Sequence, residues 1–230
     1  MKFLIKLLFT ILFCISVISG ETLIYDVGFR LFDAGEAKIS TNTVNFRDKP
    51  ALHIRSEIYT SSFLDYFYRV RDKIDVWADP QDLTLISVKK DIHEGRYTRQ
   101  YEARISEDMR VFSGNNIYQL EEKVYDPLAA IFMIRQQDLH IGDTFSFSTF
   151  EMGSVQKVLV KVEDAEEQSV PAGDFECLRV VPVSEDGKPL FKNKGEMMVW
   201  FSLDGSHLPV RIEQKTNVGD LILRLRSVKD

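Results

Sequence analysis

Four histidines and two cysteines are the residues of this sequence that could bind a metal ion, but their spacing does not suit a metal site. The histidines stand far apart, at His53, His93, His140 and His207. Zinc sites within one chain usually contain closely spaced ligand pairs such as His-x-His or His-x-x-x-His. His93 and Glu94 fit a hairpin turn more simply than a ligand pair. We therefore predict no metal site.

Cys177 is the candidate nucleophile, and its context is that of a core residue. A strand through this segment would place it on the same face as Phe175 and Val181. The sequence contains no Gly-x-Ser-x-Gly turn, no local Cys–His signature and no Gly-x-Gly phosphate loop. We predict a buried and unreactive thiol, no catalytic residue and no cofactor. An enzyme is the least favoured of three functions.

The other candidates are turn aspartates and one arginine. Four aspartates stand at turns or helix caps, where their side chains accept backbone N–H groups: Asp126, Asp143, Asp174 and Asp204. Arg135 emerges from an apolar helix and needs a partner. It either pairs with a carboxylate or with free carbonyls near the helix end, or it binds the acidic head of an amphiphile. The sequence leaves both alternatives open.

One segment, from Asp126 to Asp138, predicts a helix. Asp126 suits the N-cap and Pro127 the first helical position. The residues from Leu128 to Ile134 are apolar nearly all the way round, which is typical of a helix enclosed by protein. The helix is too short to cross a bilayer, so we predict no transmembrane span in the mature chain.

Most of the remaining chain alternates apolar and polar residues with a period of two, which predicts strands. We predict an all-β fold, mostly antiparallel. It is a single curved sheet, a half-barrel or barrel of roughly 12–15 strands with one central helix at about 126–138. No linker divides residues 21–230, which we take as a single β-rich domain.

Residues 1–20 predict a cleavable secretory signal peptide. Lys2 and Lys6 precede an apolar stretch that ends at Ser19-Gly20, and Phe13 before Cys14 does not fit a lipoprotein signal. We predict a periplasmic protein that is not a lipoprotein. The net charge of −6 falls further when this segment is removed, which argues against nucleic-acid partners. Only Cys177 would then remain, so no internal disulfide can form.

Three aromatic residues lie in a segment without strand alternation: Phe63, Tyr66 and Phe67. Most aromatic side chains of an all-β domain fill its core, but loops seldom contain three of them. These residues either cover a pocket or fasten the loop to the domain. With Phe132 and Arg135 of the predicted helix, they form our candidate ligand-binding set.

Several phrases also match a known family in order and spacing. They are Tyr25–Phe29, Tyr125–Arg135, Pro171–Cys177 and Val199–Asp204. Over essentially the whole mature chain the sequence resembles the exported bacterial family called domain of unknown function 3108, whose label implies no activity. The phrase from Trp200 to Leu208-Pro209 more distantly resembles the Lol-type lipoprotein carriers, which are half-barrels with helices over the concave face. This second resemblance is an analogy of fold.

Two functions follow as hypotheses. The first is a non-enzymatic periplasmic protein that binds a lipid or other hydrophobic ligand within a curved sheet. The alternative is a cell-envelope interaction or scaffold protein that pairs an exposed sheet edge or surface with another envelope protein and has no small-molecule ligand.

Overall fold

The computed structural model describes residues 20–29, 32–187, 196–216 and 219–229. The predicted signal peptide, apart from Gly20, lies outside these residues. The strands, β1 to β15 in chain order, are Thr22–Phe29, Phe32–Phe46, Lys49–Thr60, Arg71–Ala78, Leu85–Glu94, Tyr97–Ile105, Arg110–Ser113, Asn116–Gln119, Val124–Tyr125, Thr144–Glu151, Ser154–Val170, Gly173–Ser184, Met197–Ser202, Pro209–Thr216 and Gly219–Lys229. Two helices, α1 and α2, are Ser62–Asp65 and Pro127–Arg135.

All fifteen strands belong to one sheet. Its order is β8-β7-β6-β5-β4-β3-β2-β1-β15-β14-β13-β12-β11-β10-β9, so the first and last strands are neighbours at its centre. Every pair is antiparallel except β9 with β10. The two outermost strands, β8 and β9, are joined by the short segment from Gln119 to Val124, which spans at most about 18 Å. The sheet therefore has to curve until its two edges approach each other.

The curved sheet does not close into a barrel, which settles a point that the sequence left open. The prediction of an all-β, mostly antiparallel curved sheet is confirmed, and the fifteen strands lie within the predicted range. The central helix is shorter than predicted, since α2 ends at Arg135 rather than near Asp138. His207 contacts this end of the helix, where its Nδ1 lies 3.1 Å from the carbonyl oxygen of Arg135.

Helix α2 is enclosed in the core, as its composition predicts. The Asp126 side chain caps it by accepting the Leu128 N–H at 2.8 Å, and Pro127 occupies the first turn. All residues from Ala129 to Arg135 are buried. Buried strand residues from both halves of the sheet, including Tyr25, Ile54, Val88, Val160 and Leu225, form a single core cluster with the helix. The helix thus fills the hollow of the sheet.

A buried ion pair fastens the start of α2 to the sheet. Lys90 on β5 is only 4% exposed, and its Nζ lies 3.2 Å from the Asp126 carboxylate and 3.0 Å from that of Glu151 on β10. Burial opposes the charged form of Lys90, but attraction to the two carboxylates outweighs it and raises the pKa of the ammonium. The pair therefore ties β5, β10 and the helix together.

We expect Asp126→Ala to lower the free energy of unfolding by about 3–5 kcal/mol. The substitution removes the buried carboxylate that pairs with the Lys90 ammonium, and it removes the N-cap of α2. Asp126→Asn keeps a cap acceptor and should lose less. Urea denaturation measures both changes. Lys49→Ala is the control, since Lys49 and Glu107 form an exposed ion pair that contributes little. Equal, small losses in the two alanine variants would contradict a structural role for the buried pair.

Candidate functional site

The predicted site residues lie at opposite ends of the sheet and do not come together. Arg135 contacts Glu21, which precedes β1. Phe63, Tyr66 and Phe67 lie in the connection between β3 and β4, which begins where β3 pairs with Gly35 of β2. Gly35 pairs in turn with Val27, near the far end of β1. The candidate set therefore divides into a helical part and a loop part.

The helical part is engaged by the protein itself. Phe132 is 1% exposed in the core. The buried Arg135 guanidinium forms a two-pronged ion pair with the Glu21 carboxylate, its Nη2 donating to Oε1 at 3.0 Å, and its Nε donates to the Ser206 carbonyl at 2.9 Å. This is the first of the two alternatives for Arg135, pairing with a carboxylate and a carbonyl. We name Glu21, Arg135, Ser206 and His207 the helix-end cluster.

The loop part is exposed. Four aromatic side chains project from α1 and the residues after it, with exposed fractions of 67% for Phe63, 88% for Tyr66, 69% for Phe67 and 53% for Tyr68. Phe67 makes edge-on contacts with the rings of Phe63 and Tyr66, with centroids 5.6 Å and 5.3 Å away. We name residues Phe63–Tyr68 the aromatic tip. Its exposure differs from the covering or fastening role that the sequence suggested for these residues.

The base of the aromatic tip is braced by a charged network. The Arg71 guanidinium donates to both Asp65 carboxylate oxygens and, at 2.6 Å, to the Val70 carbonyl. Hydrogen bonds from Thr60 and Arg71 lower the pKa of Asp65. The Ser61 N–H also bonds to the Ala34 carbonyl at 2.9 Å. The tip is therefore held in position while its aromatic side chains remain in solvent.

Glycines and basic residues surround the tip. Gly35 allows β2 to approach β3 closely, because a Cβ there would lie 2.0 Å from the Tyr59 carbonyl oxygen. The Tyr68 ring covers Gly95, where a Cβ would lie 2.7 Å from a ring carbon. Arg69 and Arg96 are both exposed beside this contact. The end of the sheet thus presents aromatic rings next to two cations.

Two clefts open beside β6, and neither was predicted from the sequence. The first, of about 710 Å³, lies between β6 and the turn at Met152–Gly153, and we name it the β6 cleft. The second, of about 720 Å³, has an apolar floor that includes Leu85, Leu120 and Val124, but charged residues of four connections surround it. Neither cleft contains a predicted site residue. Their walls come from strands distant in sequence, so no local pattern could have revealed them.

Two kinds of site are not found within the described ranges. No group of three or more histidine, cysteine, aspartate or glutamate side chains there is arranged to hold a metal ion. In the same part of the chain, every helix is too short or too polar to cross a bilayer.

The chain matches a family model described as "Protein of unknown function (DUF3108)" over residues 24–226. The chain belongs to this family. The family predicted from the sequence phrases is thereby confirmed. No curated protein matches this DUF3108 chain.

The fold of this chain is similar to that in the crystal structure of a beta-barrel-like protein of domain of unknown function DUF1849 from Brucella abortus. The two share 9% sequence identity with a TM-score of 0.62, over 91% of this chain and 96% of that one. A protein with a YmcC-like fold from Bacteroides fragilis also matches, at 14% identity over 92% of this chain and 96% of that one, but its TM-score is 0.30. The first likeness shows that this DUF3108 chain has a beta-barrel-like fold.

We expect Arg135→Ala to destabilise the protein by about 3–5 kcal/mol, because it leaves the Glu21 carboxylate largely buried and unpaired. The double variant Glu21→Gln with Arg135→Met should recover part of this loss. Arg226→Ala is the control, since Arg226 pairs with Asp26 and Glu36 at the surface. Chemical denaturation measures all three. An Arg135→Ala variant as stable as Arg226→Ala would contradict the role of the helix-end cluster.

Cys177 should not react with thiol reagents in the folded protein. The residue is 0% exposed, and burial raises the pKa of its thiol to about 12. The thiol therefore stays protonated at pH 8, and the reagent has no access to it. Labelling with iodoacetamide, followed by mass spectrometry of the peptide that contains Cys177, should be negligible in buffer and complete in denaturant. Rapid labelling of the native protein would contradict this expectation.

Proposed function

We propose that this protein is a non-enzymatic protein of the cell envelope that binds lipid at a membrane surface through the aromatic tip. The observation that carries the proposal is the set of four exposed aromatic side chains on a braced loop. Soluble proteins rarely expose adjoining large apolar side chains without a partner that covers them. The signal peptide predicted at residues 1–20 supports export to the periplasm, where residues 21–230 would act as one domain.

The composition of the tip favours a lipid surface. Tyrosine has a ring that enters the apolar layer and a hydroxyl that stays among the head groups, and phenylalanine adds apolar contact. Full burial of one such side chain contributes about 1.5–3 kcal/mol, so partial burial of four gives reversible attachment. The exposed Arg69 and Arg96 can contact lipid phosphates beside the inserted rings.

The interior of the sheet is the less suitable place for a lipid. Helix α2 fills the hollow, and Phe132 and Arg135 already contact other parts of the protein. The second cleft has an apolar floor, but its walls carry charged residues of both signs, among them Asp79, Glu107, Arg104 and Lys123, and charged walls disfavour an acyl chain. We therefore place lipid binding at the tip.

The test is flotation of the purified protein with vesicles of phosphatidylethanolamine and a minority of phosphatidylglycerol. We expect the wild-type protein to float with the vesicles, and the triple variant Phe63→Ser, Tyr66→Ser, Phe67→Ser to bind at least about tenfold more weakly, since each 1.4 kcal/mol lost is a factor of ten. The thermal melting temperature of the variant should not fall, because these side chains are exposed.

A matched control removes apolar side chains elsewhere. Ile117 and Ile141 are each 60% exposed and lie away from the tip, so Ile117→Ser with Ile141→Ser should bind vesicles as the wild-type protein does. Equal binding by the triple variant and the wild-type protein would contradict the assignment of the site. An absence of wild-type binding would contradict the proposed function.

A further inference from the structure

Strand β6 has a long unpaired edge. It pairs with β5 along nearly its whole length, from Glu94↔Tyr97 to Ser87↔Arg104. On its other side it pairs with β7 at two positions, Arg104↔Phe112 and Ile105↔Val111. From Tyr97 to Tyr101, no strand of the described chain lies on this outer side, whereas Ser113 of β7 lies beside Glu102 and Ala103. Backbone N–H and C=O groups of that segment consequently face the β6 cleft or solvent.

The side-chain hydrogen bonds identify which backbone groups face outward. Ser113 on β7 donates its hydroxyl to the Glu102 carbonyl at 3.0 Å, so this carbonyl points away from β5. The Ala103 carbonyl instead accepts from Ser87 on β5. Because outward and inward groups alternate along an antiparallel strand, Thr98 and Gln100 also point outward, and their backbone groups lie at the open edge.

This edge differs from the two terminal edges of the sheet. Strands β8 and β9 contain four and two residues, and short edge strands offer little to pair with. The open segment of β6 is longer, contains no proline and shows no irregularity in its pairing with β5. It is therefore a template on which another extended segment can form a ladder.

The β6 cleft beside this edge is basic. Its walls include five cationic side chains and one acidic residue, namely Arg47, Lys89, Lys90, Arg99, Arg104 and Glu102. Lys90 is paired with Asp126 and Glu151. Arg47 and Arg104 lie over the rings of Phe46 and Phe112, 5.6 Å and 4.9 Å from the centroids. The lining favours a negatively charged occupant.

Tyr101 forms part of the wall of the β6 cleft. Its hydroxyl oxygen is buried in the wall of the cleft and has no hydrogen-bond partner within the described part of the chain.

We propose that the open edge of β6 binds an extended, acidic segment of a partner protein, which adds to the sheet as a further strand alongside Tyr97 to Tyr101. The outward backbone groups of Thr98 and Gln100 form the ladder. Arg99 on one face and Arg104 on the other contact carboxylates of the segment, because successive side chains of a strand alternate between faces. This activity is independent of lipid binding at the aromatic tip.

The test uses a fluorescein-labelled peptide of alternating glutamate and valine, with a lysine–valine peptide of the same length for comparison, and measures fluorescence anisotropy with the full protein. We expect the acidic peptide to bind at least about tenfold more tightly than the basic one. Gln100→Pro removes one outward N–H and should weaken binding of the acidic peptide at least about tenfold, whereas Gln100→Ala keeps the N–H and should not.

Arg99→Glu is a second variant, which tests the proposal if Gln100→Pro unfolds the protein. Arg99→Glu should reverse the preference between the acidic and the basic peptide. Equal binding of both peptides by the wild-type protein, or unchanged binding in Gln100→Pro and Arg99→Glu, would overturn the proposal. Sedimentation tests a third outcome. If the wild-type protein forms a concentration-dependent dimer that Gln100→Pro abolishes, the edge binds a second copy of this chain, and the proposal is also overturned. Vesicle flotation of the same variants should match the wild-type protein, which separates this result from the proposed function.

Discussion

The structure depends on the attachment of helix α2 inside a sheet that would otherwise expose one apolar face. Buried ion pairs fasten both ends of this helix. Asp126, which caps its start, meets Lys90, and Arg135 at its last turn meets Glu21 and the Ser206 carbonyl. A charge left alone in such a place is far more costly than one in water. The pairs therefore favour one position of the helix and, through it, one curvature of the sheet.

The functional assignment follows from this constraint. A hollow that is filled by Phe132 and its neighbours offers little room for a ligand, so we propose binding at the surface instead. In the described part of the chain, the aromatic tip and the β6 edge both expose groups that a folded protein usually pairs or buries. The tip exposes rings that a core would normally bury, and the edge exposes backbone groups that a ladder would normally pair. Each feature is held by the rigid sheet beneath it, which lowers the entropy lost on binding.

Much of the fold could be predicted from local sequence signals. Asp126-Pro127 before an apolar run identified the helix, and period-two alternation identified most strands. The contact at the end of the helix could not be predicted, because His207, which lies beside the Arg135 carbonyl, is 72 residues further along the chain. The partner of Arg135 was equally hidden, since Glu21 is 114 residues away in sequence. A pattern of residues records which side chains need a partner but not which distant strand supplies it.

The candidate site was predicted in part for the same reason. Phe63, Tyr66 and Phe67 were noticeable because aromatic residues stood in a segment without strand alternation, but their exposure follows from Arg71, which braces the loop at its base. The β6 edge had no sequence signal, because its openness is set by how few residues β7 pairs with it. The number of residues over which two strands pair depends on the packing of the whole sheet.

The measurement that tests the account most directly is hydrogen–deuterium exchange of the protein with and without lipid vesicles. Vesicles should slow exchange in residues 61–70 and in the adjoining turn near Gly95, while the amides of α2 should exchange slowly and equally in both conditions. Faster exchange in α2 on addition of lipid, without protection of residues 61–70, would mean that the helix leaves the sheet to admit a ligand, and it would contradict a filled interior with binding at the tip.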